Sequence, residues 1–280
     1  MPPGDAQPGG ASAPRARPRS AVAEDVSTIA VLVQRDVVRF FREKSRVVGA
    51  LIQPLIFWMV IGSGMSGTFR LGAAGGPGYR EYFYPGVVVV VVLFTAIFTT
   101  MSVIEDRHSG FLQAVLVAPG SRASVVLGKC LGASAVALLQ SALFLLLAPF
   151  AGFALGAVSW PLLIVALTLA CLFLCAFGFG VAWWLDSTAG YHVVMSVLLL
   201  PMWILSGAMF PAPPSGWIAL AERFDPMSYA VSAVRRALYG GRLPGGTALG
   251  GSSAAVEIAA LAVFAALAVA WSVQLCGRRR

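Results

Sequence analysis

One stretch of the sequence combines charged and apolar residues in a pattern that suits contact with another protein. Residues 105–122 read EDRHSGFLQAVLVAPGSR and lie between two runs that are apolar enough to cross a bilayer. Three charged residues open the stretch: Glu105, Asp106 and Arg107. An apolar stripe then follows at helical spacing: Phe111, Leu112, Val115 and Leu116. A proline–glycine pair ends this helix after about two turns, and a helix this short is not stable alone. We therefore expect a partner protein or the membrane surface to hold it.

No motif in the sequence predicts catalysis. The string from Gly120 to Lys129 has the wrong spacing for a phosphate-binding Walker A loop, and Cys130 stands where that loop has a hydroxyl for magnesium. Neither the HExxH zinc motif nor the GxSxG nucleophile motif occurs. Cys171 and Cys175 share a helix face, but no third ligand lies near them in the sequence. We expect no catalytic residue, no bound cofactor and no metal site in this chain.

Polar groups within the apolar runs are few. Glu257 is the one carboxylate inside such a run, and it lies within a turn of the outer end, where we expect its side chain to reach the membrane interface. Gln53, Gln140 and Ser141 are neutral, and they could either contact a substrate or hold helices together. Ion-coupled carriers depend on charged groups within the membrane. The energy source is therefore expected outside this chain.

Composition places the chain in a membrane. The chain is 58% hydrophobic and 11% charged, with a mean hydropathy of +0.82, whereas roughly 25% of the residues in soluble domains are charged. Because about 20 apolar residues cross the hydrocarbon core, we predict an all-α integral membrane fold with six transmembrane helices. The predicted spans cover residues 47–65, 85–104, 128–152, 161–184, 191–210 and 254–276.

The placement of basic residues predicts the orientation. Fourteen of the 20 Lys and Arg residues fall on the inner side if the N-terminus is cytoplasmic, as the positive-inside rule requires. We expect both termini and the 105–122 stretch in the cytoplasm. The basic residues flank apolar runs, so the net charge of +8 does not predict nucleic-acid binding. Arg outnumbers Lys 18 to 2, which is typical of a high-GC bacterial gene and indicates a bacterial inner membrane.

The N-terminal region divides into two parts. Residues 1–25 are rich in Pro, Gly, Ala and Arg and lack the core of a signal peptide, so we expect a disordered cytoplasmic tail. Residues 26–280 then form the membrane domain, which begins with an amphipathic helix over 26–46. One face of this helix is basic: Arg35, Arg39, Arg42 and Arg46. The pattern predicts a helix in the inner membrane interface with its arginines near lipid headgroups. The alternative is a cytoplasmic helix packed on protein.

A second short helix is predicted on the outer face, between the fifth and sixth spans. Asp225 suits its N-cap and Pro226 its first helical position. Tyr229 and Arg235 follow within the helix, and a glycine pair ends it. Its apolar residues predict that it dips into the outer leaflet or caps the spans. A plain extracellular loop is the alternative.

Two of these segments resemble signatures of the ABC-2 type permeases, the membrane subunits of ATP-binding cassette exporters of the daunorubicin and polysaccharide types. EDRHSGFLQAVLVAPGSRASVVLGK is similar to the family's acidic residue, glycine and apolar run followed by Pro, Ser/Arg and Gly-Lys. DPMSYAVSAVRRALYG is similar to its Asn-Pro pair, Tyr-Ala and Arg-bearing helix. The sequence departs from the pattern at Asp225, where Asn is commoner, and at His108-Ser109, where Glu or Arg often occurs.

The resemblance implies a transport subunit without its own ATPase site. Two six-span subunits, as a homodimer or with a paralogue, would form the pathway. Two ABC ATPase subunits, which carry the ATP and magnesium, would bind the 105–122 stretch and the 26–46 helix from the cytoplasm. Closure of the ATPases would push on the apolar stripe. Spans without internal charge suit a hydrophobic or amphipathic cargo, while export of a polysaccharide or lipid-linked glycan, an ion-coupled carrier and a membrane assembly factor stay open as alternatives.

Overall fold

The computed structural model describes residues 21–65, 78–116, 121–211, 215–241 and 252–278. These residues form helices and no β-strand. Six of the helical segments are long and apolar enough to cross a membrane: Val47–Gly64, Tyr79–His108, Arg122–Leu145, Trp160–Trp184, Thr188–Ala208 and Ala254–Gly277. The predicted all-α membrane fold with six spans is confirmed.

Within the described residues the chain forms α1 (Ala21–Arg42), α2 (Lys44–Gly64), α3 (Tyr79–Thr100), α4 (Ser102–His108), α5 (Phe111–Leu116), α6 (Arg122–Leu145), α7 (Ala148–Ala151), α8 (Trp160–Trp184), α9 (Thr188–Trp203), α10 (Trp217–Phe224), α11 (Pro226–Leu238) and α12 (Ala254–Arg278). A 3₁₀ turn covers Leu155–Ala157, and a π-helical segment, Ile204–Ala208, extends α9.

The second span, α3, forms the centre of the bundle. Its residues from Tyr82 to Ile97 are all buried, and they contact α2, α6, α8 and α11. A helix that is apolar on every side is expected to be buried on every side. The valine run of α3 is apolar on every side, and the other helices of the bundle surround it. Hydrogen bonds also join α3 to its neighbours. The Tyr84 hydroxyl donates to the Phe144 carbonyl over 2.7 Å, and the Trp203 indole donates to the Gly86 carbonyl over 2.8 Å.

Two glycines allow α1 to lie close to α6 and α12 to lie close to α8. A Cβ added at Gly128 of α6 would stand 2.9 Å from Leu32 of α1, and one added at Gly180 of α8 would stand 2.2 Å from Trp271 of α12. Such contacts leave no room for a side chain. They place α1 against α6 and α12 against α8.

The N-terminal boundaries differ from the prediction. α1 begins at Ala21, so residues 21–25 are helical rather than part of a disordered tail, and residues 1–20 lie outside the described part. α1 ends at Arg42, where Glu43 leaves the helical conformation (φ −88°, ψ 74°) and a new helix starts at Lys44. Arg46 therefore belongs to α2, the first span. The arginine spacing continues across this break, which is why the sequence pattern did not reveal it.

The third span is also displaced. It was predicted over 128–152, but α6 covers Arg122–Leu145 and the separate helix α7 follows. Pro149 stands at the start of α7, and Gly152 ends it with a φ of 106°. Proline cannot continue a helix from the preceding residues, and a left-handed glycine stops one. Both residues lie inside the apolar run, so hydropathy alone merged the two helices.

Candidate functional site

The C-terminal end of α3 continues as two short helices that carry the predicted coupling residues. α4 follows α3 after a joint at Met101, and Gly110, with a φ of 76°, separates α4 from α5. This left-handed backbone favours glycine and lets the chain reverse. We call α4 and α5 the hairpin. It extends directly from the most deeply buried span.

Asp106 of the hairpin lies at the centre of a buried group of ion pairs. Its carboxylate accepts two hydrogen bonds from Arg35 (2.9 and 2.6 Å) and one from Arg39 (2.9 Å), both on α1. Lys129 of α6 donates to Asp106 and also to Asp36 of α1. The side chains of Asp106 and Lys129 are each 2% exposed. We call these five residues the Asp106 cluster, and it joins α1, α4 and α6.

Pairing compensates the burial of these charges. Arg39 also binds Glu105 over 2.6 Å and Glu43 over 3.2 Å, so four carboxylates face three cations. Burial raises the pKa of Asp36, and the Lys129 ammonium opposes that rise. A buried charge is tolerated only when it is paired and hydrogen-bonded. The Asp106 cluster meets this condition, and removal of a single member leaves the others uncompensated.

These ion pairs correct two expectations. Arg35 and Arg39 bind carboxylates of their own chain rather than lipid headgroups, so the alternative of a helix packed on protein describes this face of α1. Arg42 is exposed, and the side chain of Arg46 lies outside the described part. Asp106 was expected to meet a partner protein, but its carboxylate is enclosed by the Asp106 cluster.

Arg107 fastens the opposite side of α4 to α8. Its guanidinium donates to the carbonyls of Ala182 (2.7 Å) and Trp183 (3.1 Å) and pairs with Asp186 (2.5 Å). The two carbonyls belong to the last turn of α8, where a cation also interacts favourably with the helix dipole. The hairpin is thus held on one side by α1 and α6 and on the other by α8.

The apolar stripe of α5 faces the protein itself. Phe111 lies beneath the Arg35 guanidinium, 3.7 Å from ring centre to carbon, and Leu112 is 1% exposed. Val115 is half-buried against the same core, and the side chain of Leu116 lies outside the described part. Leu112 is therefore enclosed by the protein itself in this conformation, while the contact of Phe111 with a partner stays a prediction. A different set of residues is exposed, which we call the hairpin face: His108, Ser109, Gln113 and Ala114.

The helix α11, which was predicted to lie on the outer face, caps the spans. Its apolar residues are buried against α3, α8 and α12, so it does not insert that face into the outer leaflet. Asp225 caps its N-terminus by accepting from the Met227 N–H over 2.9 Å, and Pro226 occupies the first helical position. Burial raises the pKa of Asp225 to about 7, although the Met227 N–H and Ser228 hydrogen bonds oppose the rise. Tyr229 donates its hydroxyl to the Arg223 carbonyl over 2.8 Å.

Arg235 of α11 binds the break in the fifth span. It is 3% exposed, stands 4.3 Å above the Tyr82 ring and donates to the Gly207 carbonyl over 2.8 Å. Gly207 has a φ of 71°, which interrupts the helix and leaves this carbonyl without a helical partner. Tyr82 donates its hydroxyl to the same oxygen over 2.7 Å. The C-terminal end of the fifth span is thereby attached to both α3 and α11.

Glu257 is enclosed rather than placed at the membrane interface. Its side chain is 0% exposed and accepts from Arg236 (2.9 and 3.0 Å), Ser232 (2.6 Å) and Ser252 (3.0 Å). This corrects the expectation of a carboxylate that reaches the interface. The carboxylate that a proton- or ion-coupled carrier would need is occupied by protein donors.

The four cysteines are buried free thiols. Within the described ranges, no three His, Cys, Asp or Glu side chains are close enough to hold a metal ion.

Fold and hairpin together define a class, a polytopic α-helical membrane protein with a hairpin bound to an amphipathic N-terminal helix. The ABC-2 type transporter family matches residues 27–239, which is most of the chain. The chain belongs to this family.

Two relatives agree with that assignment. A daunorubicin resistance ABC transporter permease protein of Streptomyces coeruleorubidus is 27% identical over 235 residues, which cover 79% of this chain and 78% of the relative. Nodulation protein J of Sinorhizobium fredii is 28% identical over 241 residues, which cover 83% and 86%. The chain is thus a transmembrane permease subunit of an ABC transporter, a class that works with a separate ABC ATPase subunit.

Proposed function

We propose that this permease exports a hydrophobic or amphipathic compound from the cytoplasm or the inner leaflet. ATP, held with magnesium by the separate ATPase subunit, supplies the energy. The permease lies in a bacterial inner membrane with both termini in the cytoplasm, and a second permease copy, identical or paralogous, completes the pathway. The relative named for daunorubicin resistance supports an amphipathic cargo. Lys129 is the charged residue that lies deepest in a span, and Asp36 and Asp106 already pair with it, so it is not available to a charged cargo.

The attachment of the hairpin carries this proposal. The Asp106 cluster joins the hairpin to α1 and α6, and Arg107 joins it to α8. Force applied to the hairpin face reaches three helices through charged contacts on both sides of α4. An ATPase that binds this face more tightly in one nucleotide state than in another would shift the permease between its conformations by that difference in affinity.

The test uses the permease coexpressed with its ATPase subunit and reconstituted in proteoliposomes. We expect ATP-dependent movement of a fluorescent anthracycline, and none when the ATPase subunit is left out. Movement that persists without the ATPase subunit would show an ion-coupled carrier. Movement of a lipid-linked glycan but not of the dye would assign the cargo to the glycan class.

A substitution on the hairpin face tests the contact itself. Ala114 is exposed and lies outside the Asp106 cluster, so A114E places a charge at the proposed contact without entering the core. We expect it to lower ATPase binding and ATP-driven transport at least about tenfold, as for a charge placed wrongly in an interface. A114S changes little in size or charge and should stay within about twofold of wild type. Wild-type coupling in A114E would place the ATPase elsewhere.

A further inference from the structure

Arg235 of α11 is a buried cation that is only partly compensated. Its side chain is 3% exposed. Among the described residues its guanidinium donates to the Gly207 carbonyl, and its Nε–H has no acceptor. A buried charge is normally paired with an opposite charge, as the next residue, Arg236, is with Glu257. Arg235 has no such carboxylate in the part of the chain that the structure describes.

A carboxylate nevertheless lies against the same glycine. A Cβ built at Gly207 would stand 3.0 Å from Oε1 of Glu222, which belongs to α10 and is half-buried. Burial raises the pKa of Glu222, and the Arg235 charge opposes the rise. The cation and the anion therefore meet at Gly207 and interact electrostatically, while the described contacts include no ion pair between them.

The backbone between these two charges is built to move. Gly207 lies in the π-helical segment Ile204–Ala208 and has a φ of 71°. Short π-helical segments within α-helices are frequent at functional sites, and glycine accepts backbone changes that other residues resist. Both α10 and α11 contact this segment. A rotation at Gly207 would withdraw its carbonyl from Arg235 and leave the guanidinium free to pair with Glu222.

We propose that Arg235 and Glu222 position the C-terminal end of the fifth span during transport, with Arg235 binding the Gly207 carbonyl in one conformation and the Glu222 carboxylate in the other. This inference rests on the proposed function, in which an ATPase subunit shifts the permease between conformations. A guanidinium binds a carboxylate through two parallel hydrogen bonds, so the ion pair compensates for the loss of the carbonyl. Arg235 therefore has a partner in both conformations.

A cysteine at position 206 reports whether this segment moves. Ser206 precedes Gly207 and is 2% exposed, so S206C should react slowly with a water-soluble maleimide while Arg235 holds the carbonyl. The native thiols are buried, and the wild-type complex serves as the blank. In nanodiscs that contain the permease and its ATPase subunit, we expect ATP to raise the labelling rate of S206C at least about tenfold. A rate that ATP does not change would overturn the proposal.

Removal of the carboxylate separates partner exchange from packing. In the S206C background, E222Q keeps the size of the side chain without its charge, so Arg235 should stay on the Gly207 carbonyl. We expect ATP to raise the labelling rate of E222Q less than about twofold, and E222D, which keeps a carboxylate, to recover part of the response. R223Q removes a charge from the exposed neighbouring position and should match S206C alone. A full ATP response in E222Q would contradict the exchange.

Removal of the cation should have the opposite effect. R235M releases the Gly207 carbonyl, so S206C should react at least about tenfold faster without ATP. The double variant E222Q/R235M should behave as R235M does, because Glu222 acts only through Arg235. Complexes are compared only if they retain the ATPase subunit and elute as the wild type does, and E222Q decides the test if R235M does not fold. Slow labelling of folded R235M would contradict the proposal.

The two proposals fail separately. If ATP drives transport while the labelling of S206C stays unchanged, the exchange is wrong and the proposed function stands. If ATP and the ATPase subunit drive no transport in the wild type, the proposed function is wrong whatever the labelling shows.

Discussion

At the scale of single residues, Lys129 neutralises two buried carboxylates, Asp36 and Asp106. Removal of one partner from a buried ion pair leaves an uncompensated charge and typically costs about 3–5 kcal/mol. We expect K129M to lower the free energy of unfolding by about that amount, measured by denaturation of the detergent-solubilised protein. R42M, at an exposed position of α1, should change it by less than about 0.5 kcal/mol.

A double variant separates pairing from packing. D106N removes one of the charges that K129M leaves uncompensated, so D106N/K129M should recover part of the loss, as expected for coupled neighbours. Equal stability of K129M and wild type would contradict the Asp106 cluster.

Asp225 should make stability depend on pH. Its pKa in the folded protein is raised to about 7, whereas an unfolded Asp has an ordinary pKa of about 3.9. The folded state therefore binds the Asp225 proton more tightly than the unfolded state does. The contribution of Asp225 to the free energy of unfolding should be greatest below about pH 4 and should fall as the pH rises towards 7. A tenfold difference in proton affinity between the folded and unfolded states corresponds to roughly 1.4 kcal/mol of stability. D225N keeps the N-cap without the charge, and we expect it to flatten the pH dependence of thermal unfolding between about pH 5 and 8. An unchanged slope in D225N would contradict this assignment.

The sequence reveals that some of these residues need partners but not which partners they have. A lysine within an apolar helix requires a carboxylate, and Lys129 carries that signal. Its acceptors stand 93 and 23 positions away along the chain. They meet only because α1 folds back along α6, and this tertiary arrangement leaves no local pattern in the sequence.

At the scale of helices, a buried leucine holds α5 against the rest of the protein. Leu112 is buried while its neighbour Gln113 is exposed. We expect L112A to lose about 2–5 kcal/mol of stability, as for other buried leucines, and Q113A to stay within about 0.5 kcal/mol. Limited proteolysis in the hairpin reports the local effect. Equal protection of L112A and wild type would mean that the stripe faces outward after all.

Hydropathy and helical period predict the long helices well, because burial in lipid or in the bundle requires about 20 apolar residues. They predict the short helices α5 and α11 less well. Amphipathicity shows which face is apolar but not whether lipid, a partner or the chain's own core covers it. For both helices the protein itself covers it: α5 lies against α4 and α6, and α11 lies against α3, α8 and α12.

At the scale of the whole molecule, charged contacts join α1, the hairpin, α6 and α8 into one unit. α1 is bound to α4 through Arg35 and Arg39, and α4 is bound to α8 through Arg107. The hairpin face is one exposed part of this unit. A partner that moves the hairpin therefore moves α1, α6 and α8 with it, which is the central claim for a permease driven from the cytoplasm.

Photo-cross-linking from position 114 tests that claim most directly. A benzophenone amino acid replaces Ala114 on the hairpin face, and, in a matched variant, Arg223, which is exposed on α10 beyond the outer end of the fifth span. In intact cells that express the ATPase subunit, we expect irradiation of the 114 variant to yield an adduct with the combined mass of the permease and the ATPase, and the 223 variant to yield none. An ATPase adduct from 223, or labelling of 114 by a membrane-impermeant reagent from outside the cell, would contradict the account.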